Sequence, residues 1–393
     1  MKILFIHNEY AQKGGGENQV VDSEIRLLKE NGHEVVSFIR SNYDVLEKGK
    51  KNAFRSLLHV KFNKKIYTEL RQFCEKEKPD VAHVHNFWFA LSPSVYQACY
   101  DVNVPVIQTL HNFRTLCLNA LLLRKGKPCE KCVEHSSLKG IFLRCYHRSF
   151  LHSWFVYRMQ KGFQKVIHIP TTFIALTEHG KEIFIRAGFP KDKVVVKPNF
   201  VPDCFGEKTN IPHKYKALFI GALMEHKGVR TLLKAWKKLP KVELTIIGDG
   251  DLREEMKSFC TQNQLKNIIF RGYLNHAEIA EELLNTSFLI MPSECYETFG
   301  LSVIESFSAG KPVIASSIGA LKVLIEAKKT GLLFKPGDVS ELVSCVKEIL
   351  NQEELIRMGE NARKEYEEKF STTAGYRNLI EIYNQAIKSR GIQ

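Results

Sequence analysis

No stretch of this sequence approaches the ~20 consecutive apolar residues that a bilayer-spanning helix requires, so no such span is expected. Low-complexity tracts and short-period repeats are absent too. The apolar run at the amino end, Ile3, Leu4, Phe5 and Ile6, gives way at once to His7, Asn8 and Glu9. That run is too short for a secretory signal and reads as a first strand, so the chain is expected to stay in the cytoplasm. No recognised nucleic-acid motif accompanies the basic pI of about 9.2. Ten cysteines in a cytoplasmic chain are expected to be reduced, buried or metal-bound rather than paired.

What is present is ordinary in bulk. The 393 residues suggest two or three domains, and 44% hydrophobic with 25% charged residues fits a folded globular chain. The net charge of +14 is unevenly spread. Residues 1–200 hold 31 Lys and Arg against 18 Asp and Glu, whereas the remainder is nearly balanced. Such a split suggests an anionic partner for the first half, or simply a basic surface.

Apolar runs of strand length alternate with helical patterns. Strands are predicted at 3–6, 34–39, 81–85, 104–109, 172–176 and 194–197, with a helix over 17–31. The pattern restarts near Lys216, with strands at 217–220, 244–247, 268–271, 288–291, 313–315 and 332–334 and a helix over 232–238. Alternation of this kind implies parallel sheets flanked by helices. The fold class is therefore α/β, with two Rossmann-like domains. The first spans 1–200 and the second 201–370, and a final helix over 371–393 is expected to return to the first domain. Pro198, Pro202 and Pro212 mark the linker. Residues 116–165 break the alternation and read as a cysteine-rich, then basic and aromatic, insertion. In open α/β sheets ligands bind at the carboxyl ends of the strands, so two such domains would offer a cleft.

Four places carry chemistry. Gly14, Gly15, Gly16 and Glu17 sit at the first strand–helix junction, where glycines let backbone amides approach an anion; the spacing lacks the G-x-G-x-x-G of dinucleotide binders. After the strand at 288–291 comes a segment from Pro292 to Glu305. A helix is expected to start near Phe299 or Gly300, with amides from Phe299 to Ser302 facing a diphosphate. Glu297 lies just before that helix and Glu305 about one and a half turns inside it. Lys227-Gly228 follows the first strand of the second domain, where a lysine can neutralise a departing diphosphate. Thr109-Leu110-His111-Asn112 ends a strand in the first domain and offers a histidine to a ligand.

These pieces resemble family four of the retaining glycosyltransferases, in a bacterial polysaccharide-type subgroup with a cysteine-rich insertion and the GT-B fold. The likeness rests on Gly15-Gly16, Thr109 to Asn112, Val196-Lys197-Pro198-Asn199, Gly221 with Lys227-Gly228, Ile247-Gly248-Asp249-Gly250, Glu297 through Glu305, and Ser308 to Ala315. The resemblance implies a sugar moved from a nucleotide-diphosphate sugar, UDP- or GDP-linked, to a saccharide or lipid-linked acceptor of a lipopolysaccharide or capsule. It implies that Gly15 and Gly16 approach the donor, His111 touches the sugar, and Lys227 steadies the diphosphate. It also implies that Glu297 holds sugar hydroxyls and Glu305 the ribose. Thr298, Phe299, Gly300 and Leu301 would line the diphosphate, and the backbone around Tyr273 the base. No cofactor is needed for catalysis in such enzymes. One departure is Ala222, where relatives often carry Arg; Lys227 would then bear more of the charge, helped by a cation such as Arg230. A nucleotide-sugar epimerase and a non-catalytic transferase-like partner are the rival readings.

Cys117, Cys129, Cys132 and Cys145, spaced C-x11-C-x2-C-x12-C, match a structural zinc site, an iron–sulfur cluster or four reduced thiols. Residues 139–165 interleave Phe142, Phe150, Trp154 and Phe155 with Lys139, Arg144, Arg148 and Arg158. That pattern suits either peripheral docking on the inner face of an anionic membrane or a packed helix with a basic outer face.

Overall fold

The computed structural model describes residues 1–9, 16–42, 60–206 and 215–390. Gly14, Gly15 and Pro212 therefore lie outside the described residues. Two compact units account for the chain. The first comprises Met1–Leu122, Cys129–Pro198 and Gly375–Gln393, and the second Leu123–Pro128 and Asn199–Ala374.

The first unit runs β1 (Lys2–Glu9), α1 (Gly16–Glu30), β2 (Glu34–Ser41), α2 (Lys64–Glu77), β3 (Val81–Val84), α3 (Ser94–Tyr100) and β4 (Val106–Leu110). A small hairpin of β5 (Leu123–Arg124) and β6 (Lys127–Pro128), which belongs to the second unit, comes next in the chain, then α4 (Lys139–Phe142) and α5 (Phe150–Val166) of the first. The unit's sheet is completed by β7 (Thr172–Ala175), α6 (Glu178–Arg186) and β8 (Val194–Val196). The six strands pair in the order β2-β1-β3-β4-β7-β8, and every pair is parallel. A parallel sheet is covered on both faces, which is why Ile3, Leu4, Phe5 and Ile6 are all fully buried and read as one apolar run. Asn63, Ser149 and Thr177 cap α2, α5 and α6 through their side-chain oxygens.

The second unit contains β9 (Lys216–Ile220), α7 (Val229–Trp236), β10 (Glu243–Ile247), α8 (Arg253–Gln262), β11 (Ile268–Gly272), α9 (His276–Leu284), β12 (Phe288–Met291) and α10 (Leu301–Ser308). It continues through β13 (Val313–Ser316), α11 (Gly319–Leu324), β14 (Gly331–Phe334), α12 (Val339–Ile349) and α13 (Gln352–Lys369). Its parallel sheet has the order β11-β10-β9-β12-β13-β14. Trp236 anchors its core, fully buried, with Nε1 donating to the Val242 carbonyl at 3.1 Å. Burial of a side chain that size stabilises by roughly 2–3 kcal/mol.

The last helix, α14 (Thr372–Arg390), sends Leu379, Ile382, Tyr383 and Ala386 into the core of the first sheet beside Ile3, Phe5, Val81, Ile107 and Ile174. Both units are thus Rossmann-like α/β layers, the fold class that the alternation implied. Each strand order reverses once, between β1 and β3 in the first unit and between β9 and β12 in the second. Loops part at such a reversal and leave a crevice at the carboxyl ends of the strands.

Candidate functional site

In the second unit the loops leaving β9 and β12 meet at that crevice. Lys227 Nζ lies 2.6 Å from Glu297 Oε1, and Ser293 Oγ donates to the same oxygen at 2.6 Å. Burial opposes the charge on both partners. The attraction of Glu297 nevertheless raises the Lys227 ammonium, and Lys227 and Ser293 together lower the Glu297 carboxyl. Both groups are therefore charged at neutral pH. Two further bonds lock the loops: Glu294 N–H donates to the His226 carbonyl at 2.8 Å, and Thr231 Oγ1 to Glu294 Oε1 at 2.7 Å. Gly228 makes this approach possible. Its φ is +68°, and a Cβ there would sit 1.8 Å from the Pro292 carbonyl oxygen.

The helix carrying Glu305 starts later than expected. Gly300 has φ +124°, outside helical space, so α10 begins at Leu301 and its free amides begin there too. Thr298 and Gly300 are half-buried, and Phe299 is buried. Glu305 is half-buried one turn inside α10, and its charge reaches Cys204, whose thiol is pushed up first by burial and then by Asp203 and Glu305. Tyr273, just past β11, is 70% exposed, and the preceding Gly272 carbonyl accepts the Gly248 amide at 2.7 Å. Arg230 meets Glu255 at 2.7 Å and Glu225 at 3.0 Å.

In the first unit the crevice between β1 and β3 holds a buried polar cluster. His111 Nε2 lies 2.9 Å from His85 Nδ1. His83 Nε2 contacts Thr109 Oγ1 at 2.7 Å and His83 Nδ1 contacts the Tyr383 hydroxyl at 2.8 Å. Glu24 of α1 and Lys197 after β8 form a fully buried ion pair beside them. Burial, then the neighbouring His7 and Lys197, depress the His111 imidazole to about 3. His7 Nε2 meets Asn18 Oδ1 at 2.8 Å, and Glu17 Oε1 lies 4.0 Å from His7 Nδ1. Burial pushes the Glu17 carboxyl up to about 8, against Asn86, Arg114 and Asn112. Gly16 opens α1 at the same end.

Sequence reasoning singled out His111 and quoted Glu17 and Lys197 in motifs, but missed Glu24, His83 and His85 and the network that joins them. The available signal was polar residues inside buried strand patterns: His83 and His85 in and after β3, and Lys197 directly after the three valines of β8.

Among the described residues, Glu24, His83 and His85 are the one trio of His, Cys, Asp or Glu ligand atoms within 4.8 Å of one another. The Lys197 ammonium already occupies the carboxylate and Tyr383 the His83 Nδ1, so a cation there would face a fixed positive charge. The cysteines are gathered rather than closed. The Cys117 and Cys132 thiols share a hydrogen bond, and Cys145 and Cys129 both act on Cys132. That bond lowers Cys117 to about 7 and raises Cys132. Four thiols with one already at the edge of ionisation are a donor set that suits zinc.

Comparisons with known proteins follow the same division. Residues 14–203 match the family model Glycosyltransferase Family 4, and residues 205–365 match Glycosyl transferases group 1. An uncharacterized glycosyltransferase of Methanocaldococcus jannaschii is 33% identical over 43% of this chain and 47% of its own length. Sulfoquinovosyl transferase of Arabidopsis thaliana is 32% identical over 45% of this chain and 34% of its own. O-antigen chain mannosyltransferase C of Escherichia coli is 30% identical over 44% and 47%. The chain spans between 34% and 61% of the length of the curated relatives it matches. Among solved structures, sucrose-phosphate synthase from Thermosynechococcus elongatus superposes with a TM-score of 0.72 at 18% identity, covering 99% of both chains. The Anabaena protein HepE in complex with UDP and glucose gives 0.66 at 16%, over 98% of this chain and 99% of its own. At those identities the structures speak for the fold. Among the described residues no helix is long and apolar enough to cross a membrane.

Proposed function

We propose that this chain, whose two halves match the family 4 and group 1 glycosyltransferase models, transfers a sugar from a nucleoside-diphosphate sugar to an acceptor hydroxyl with retention at the anomeric carbon. The observation that carries this reading is the charged Lys227–Glu297 contact at the strand-order reversal of the second unit. A diphosphate arriving there meets an ammonium and the free amides at the start of α10, both aimed at charge that grows as the leaving group departs. Lys227 and Glu297 orient one another, so Glu297 stays ionised to accept hydrogen bonds from sugar hydroxyls. Glu305 grips the ribose, the backbone around Tyr273 holds a UDP or GDP base, and His111 touches the sugar. The departing phosphate takes the acceptor proton. The acceptor in this reading is a lipid-linked or growing surface polysaccharide, reached from the inner face of a membrane. Cys117, Cys129, Cys132 and Cys145 would hold a structural zinc that pins the insertion and takes no part in transfer.

A thermal-shift screen of nucleoside diphosphates and their sugars tests the donor site. A ligand at 100 times its dissociation constant stabilises by about 2.7 kcal/mol, so the right diphosphate raises the melting temperature by several degrees. Lys227→Ala is expected to abolish that shift and lower transfer by about 100-fold or more. A screen with no responding diphosphate, or conversion of the donor sugar without any acceptor, overturns the reading; the second result would make the protein an epimerase.

A further inference from the structure

Arg114 lies half-buried in the loop that leaves β4, just past His111. Its guanidinium sits 4.9 Å over the Tyr146 ring and 5.9 Å over the Phe89 ring, and those two rings stack at 6.4 Å. Phe89 presents its ring from a strained backbone, with φ +76°. Aromatic faces hold a guanidinium by its plane and leave its N–H edges to other partners. Those edges are little used. Nη1 reaches the Leu118 carbonyl at 3.4 Å, and Nε is buried with no hydrogen-bond partner. No ion pair engages Arg114 among the described residues. The carboxyl it acts on, Glu17, stays largely protonated near neutral pH, because burial carries it to about 8 while Arg114 pulls the other way. The guanidinium therefore keeps its charge without a counterion.

Two more buried groups share this place. Asn86 acts on the Glu17 carboxyl, and its Oδ1 accepts the Trp88 amide at 2.8 Å. Its Nδ2 is buried with no hydrogen-bond partner. Glu17 Oε2 lies 3.5 Å from Asn112 Nδ2, while Oε1 is buried with no partner. Arg114 Nε and Asn86 Nδ2 can only donate, and a protonated carboxyl donates as well. Orphaned donors in an interior are costly. A sugar hydroxyl has a proton of its own to place, whereas phosphate oxygens accept at several points and take an arginine bidentately. We propose that Arg114, Asn86 and Glu17 form an anion subsite of the first unit that binds a phosphate group carried by the acceptor. The proposal deepens the transfer reading and rests on it, since that reading already gives the donor diphosphate to Lys227 and α10. Two sources share this chemistry: a lipid-linked saccharide and a soluble sugar phosphate. Among the described residues, the groups facing Glu17 are His7 of β1, Asn86 after β3, and Asn112 and Arg114 after β4. As pH rises through about 8, Glu17 ionises, competes for Arg114 and weakens phosphate binding.

The test is calorimetric titration of the full chain, as wild type and as Lys227→Ala, which lacks the donor-side ammonium. The probes are inorganic phosphate, glucose 1-phosphate, dodecyl phosphate below its micellar concentration, and glucose. The three phosphates are expected to bind both proteins and glucose neither. Arg114→Gln should weaken the phosphates by about 10- to 100-fold, the scale of a lost charge-assisted contact. Binding should be weaker at about pH 9 than at about pH 7, a difference that Glu17→Gln removes. A wild type that binds no phosphate overturns the proposal, whether or not the variants fold. So does an Arg114→Gln that binds as tightly as wild type, or a Lys227→Ala that has lost all binding. Tighter binding of dodecyl phosphate than of glucose 1-phosphate assigns the subsite to a lipid-linked acceptor, and the reverse order to a soluble one. No donor enters the titration, so a chain that binds phosphate through Arg114 but transfers no sugar keeps the subsite and loses the transfer reading.

Discussion

Glu17 holds a proton that a solvated glutamate would release. Burial, opposed by Asn86, Arg114 and Asn112, carries its carboxyl from 4.5 to about 8. Above the lower value the unfolded chain gives up this proton while the folded chain keeps it, so Glu17 erodes stability as pH rises toward about 8. The full penalty is up to about 5 kcal/mol at 1.36 kcal/mol per unit. The histidines run the other way. His7, His83, His85 and His111 are all depressed below 6.5, chiefly by burial, so their contribution is lost as pH falls below that value. Glu17→Gln keeps the size and removes the titration. The melting temperature of Glu17→Gln minus that of wild type is expected to be larger at pH 8.5 than at pH 5, and an equal gap at both would refute the account. At this scale the sequence was half legible. Lys227 stood out because it follows a strand beside a glycine and Glu297 because it precedes a helix start and pairs with Glu305, and the first two prove to be 2.6 Å apart. Glu24 did not, and the partners of Glu17 and Lys197 were not legible, because a charged residue reads as surface until three-dimensional packing shows its partner.

At the scale of elements, periodicity showed which segments are strands and helices, since parallel strands buried on both faces read as unbroken apolar runs. Boundaries were less legible. The helix expected over 232–238 starts at Val229, directly after Gly228, and α10 waits for Leu301 because Gly300 is non-helical. Strand order was not legible, because it depends on contacts distant in sequence. The insertion is the least regular element. Ala120, Leu122, Lys125, Arg144, His147 and Arg148 all have positive φ, at a cost on the order of 1–2 kcal/mol each. The zinc proposed for Cys117, Cys129, Cys132 and Cys145 would clamp a segment strained at so many places. Protein purified anaerobically is expected to carry about one zinc per chain by elemental analysis, and Cys129→Ser to lose it together with several degrees of melting temperature. Wild-type protein free of metal under those conditions would show that the thiols are simply reduced.

At the scale of the whole molecule, charge and apolar exposure coincide. The positive excess lies almost wholly in residues 1–200, and so do several exposed apolar side chains of the insertion. Phe142 is 70% exposed, Leu151 52%, Phe150 49% and Trp154 36%. Phe142 and Phe150 rings meet at 6.0 Å, and the Arg158 guanidinium lies 4.8 Å over the Trp154 ring. Water penalises such exposure of apolar side chains within one segment, and large exposed apolar patches mark interaction sites. Lys139, Arg144, Arg148 and Arg158 are spread through the same segment, so the partner that fits is apolar and anionic together, as a membrane interface is. Each basic residue near an anionic leaflet contributes about 1 kcal/mol, and salt screens that share while leaving the insertion of rings untouched. Vesicles holding about a third anionic lipid should therefore sediment the protein at low salt, bind it less as salt rises, and retain little of Phe142→Ser with Trp154→Ser. If neutral vesicles bind as well as anionic ones, the charge asymmetry has no part in docking. If neither binds, the exposed rings await a protein partner rather than a lipid surface.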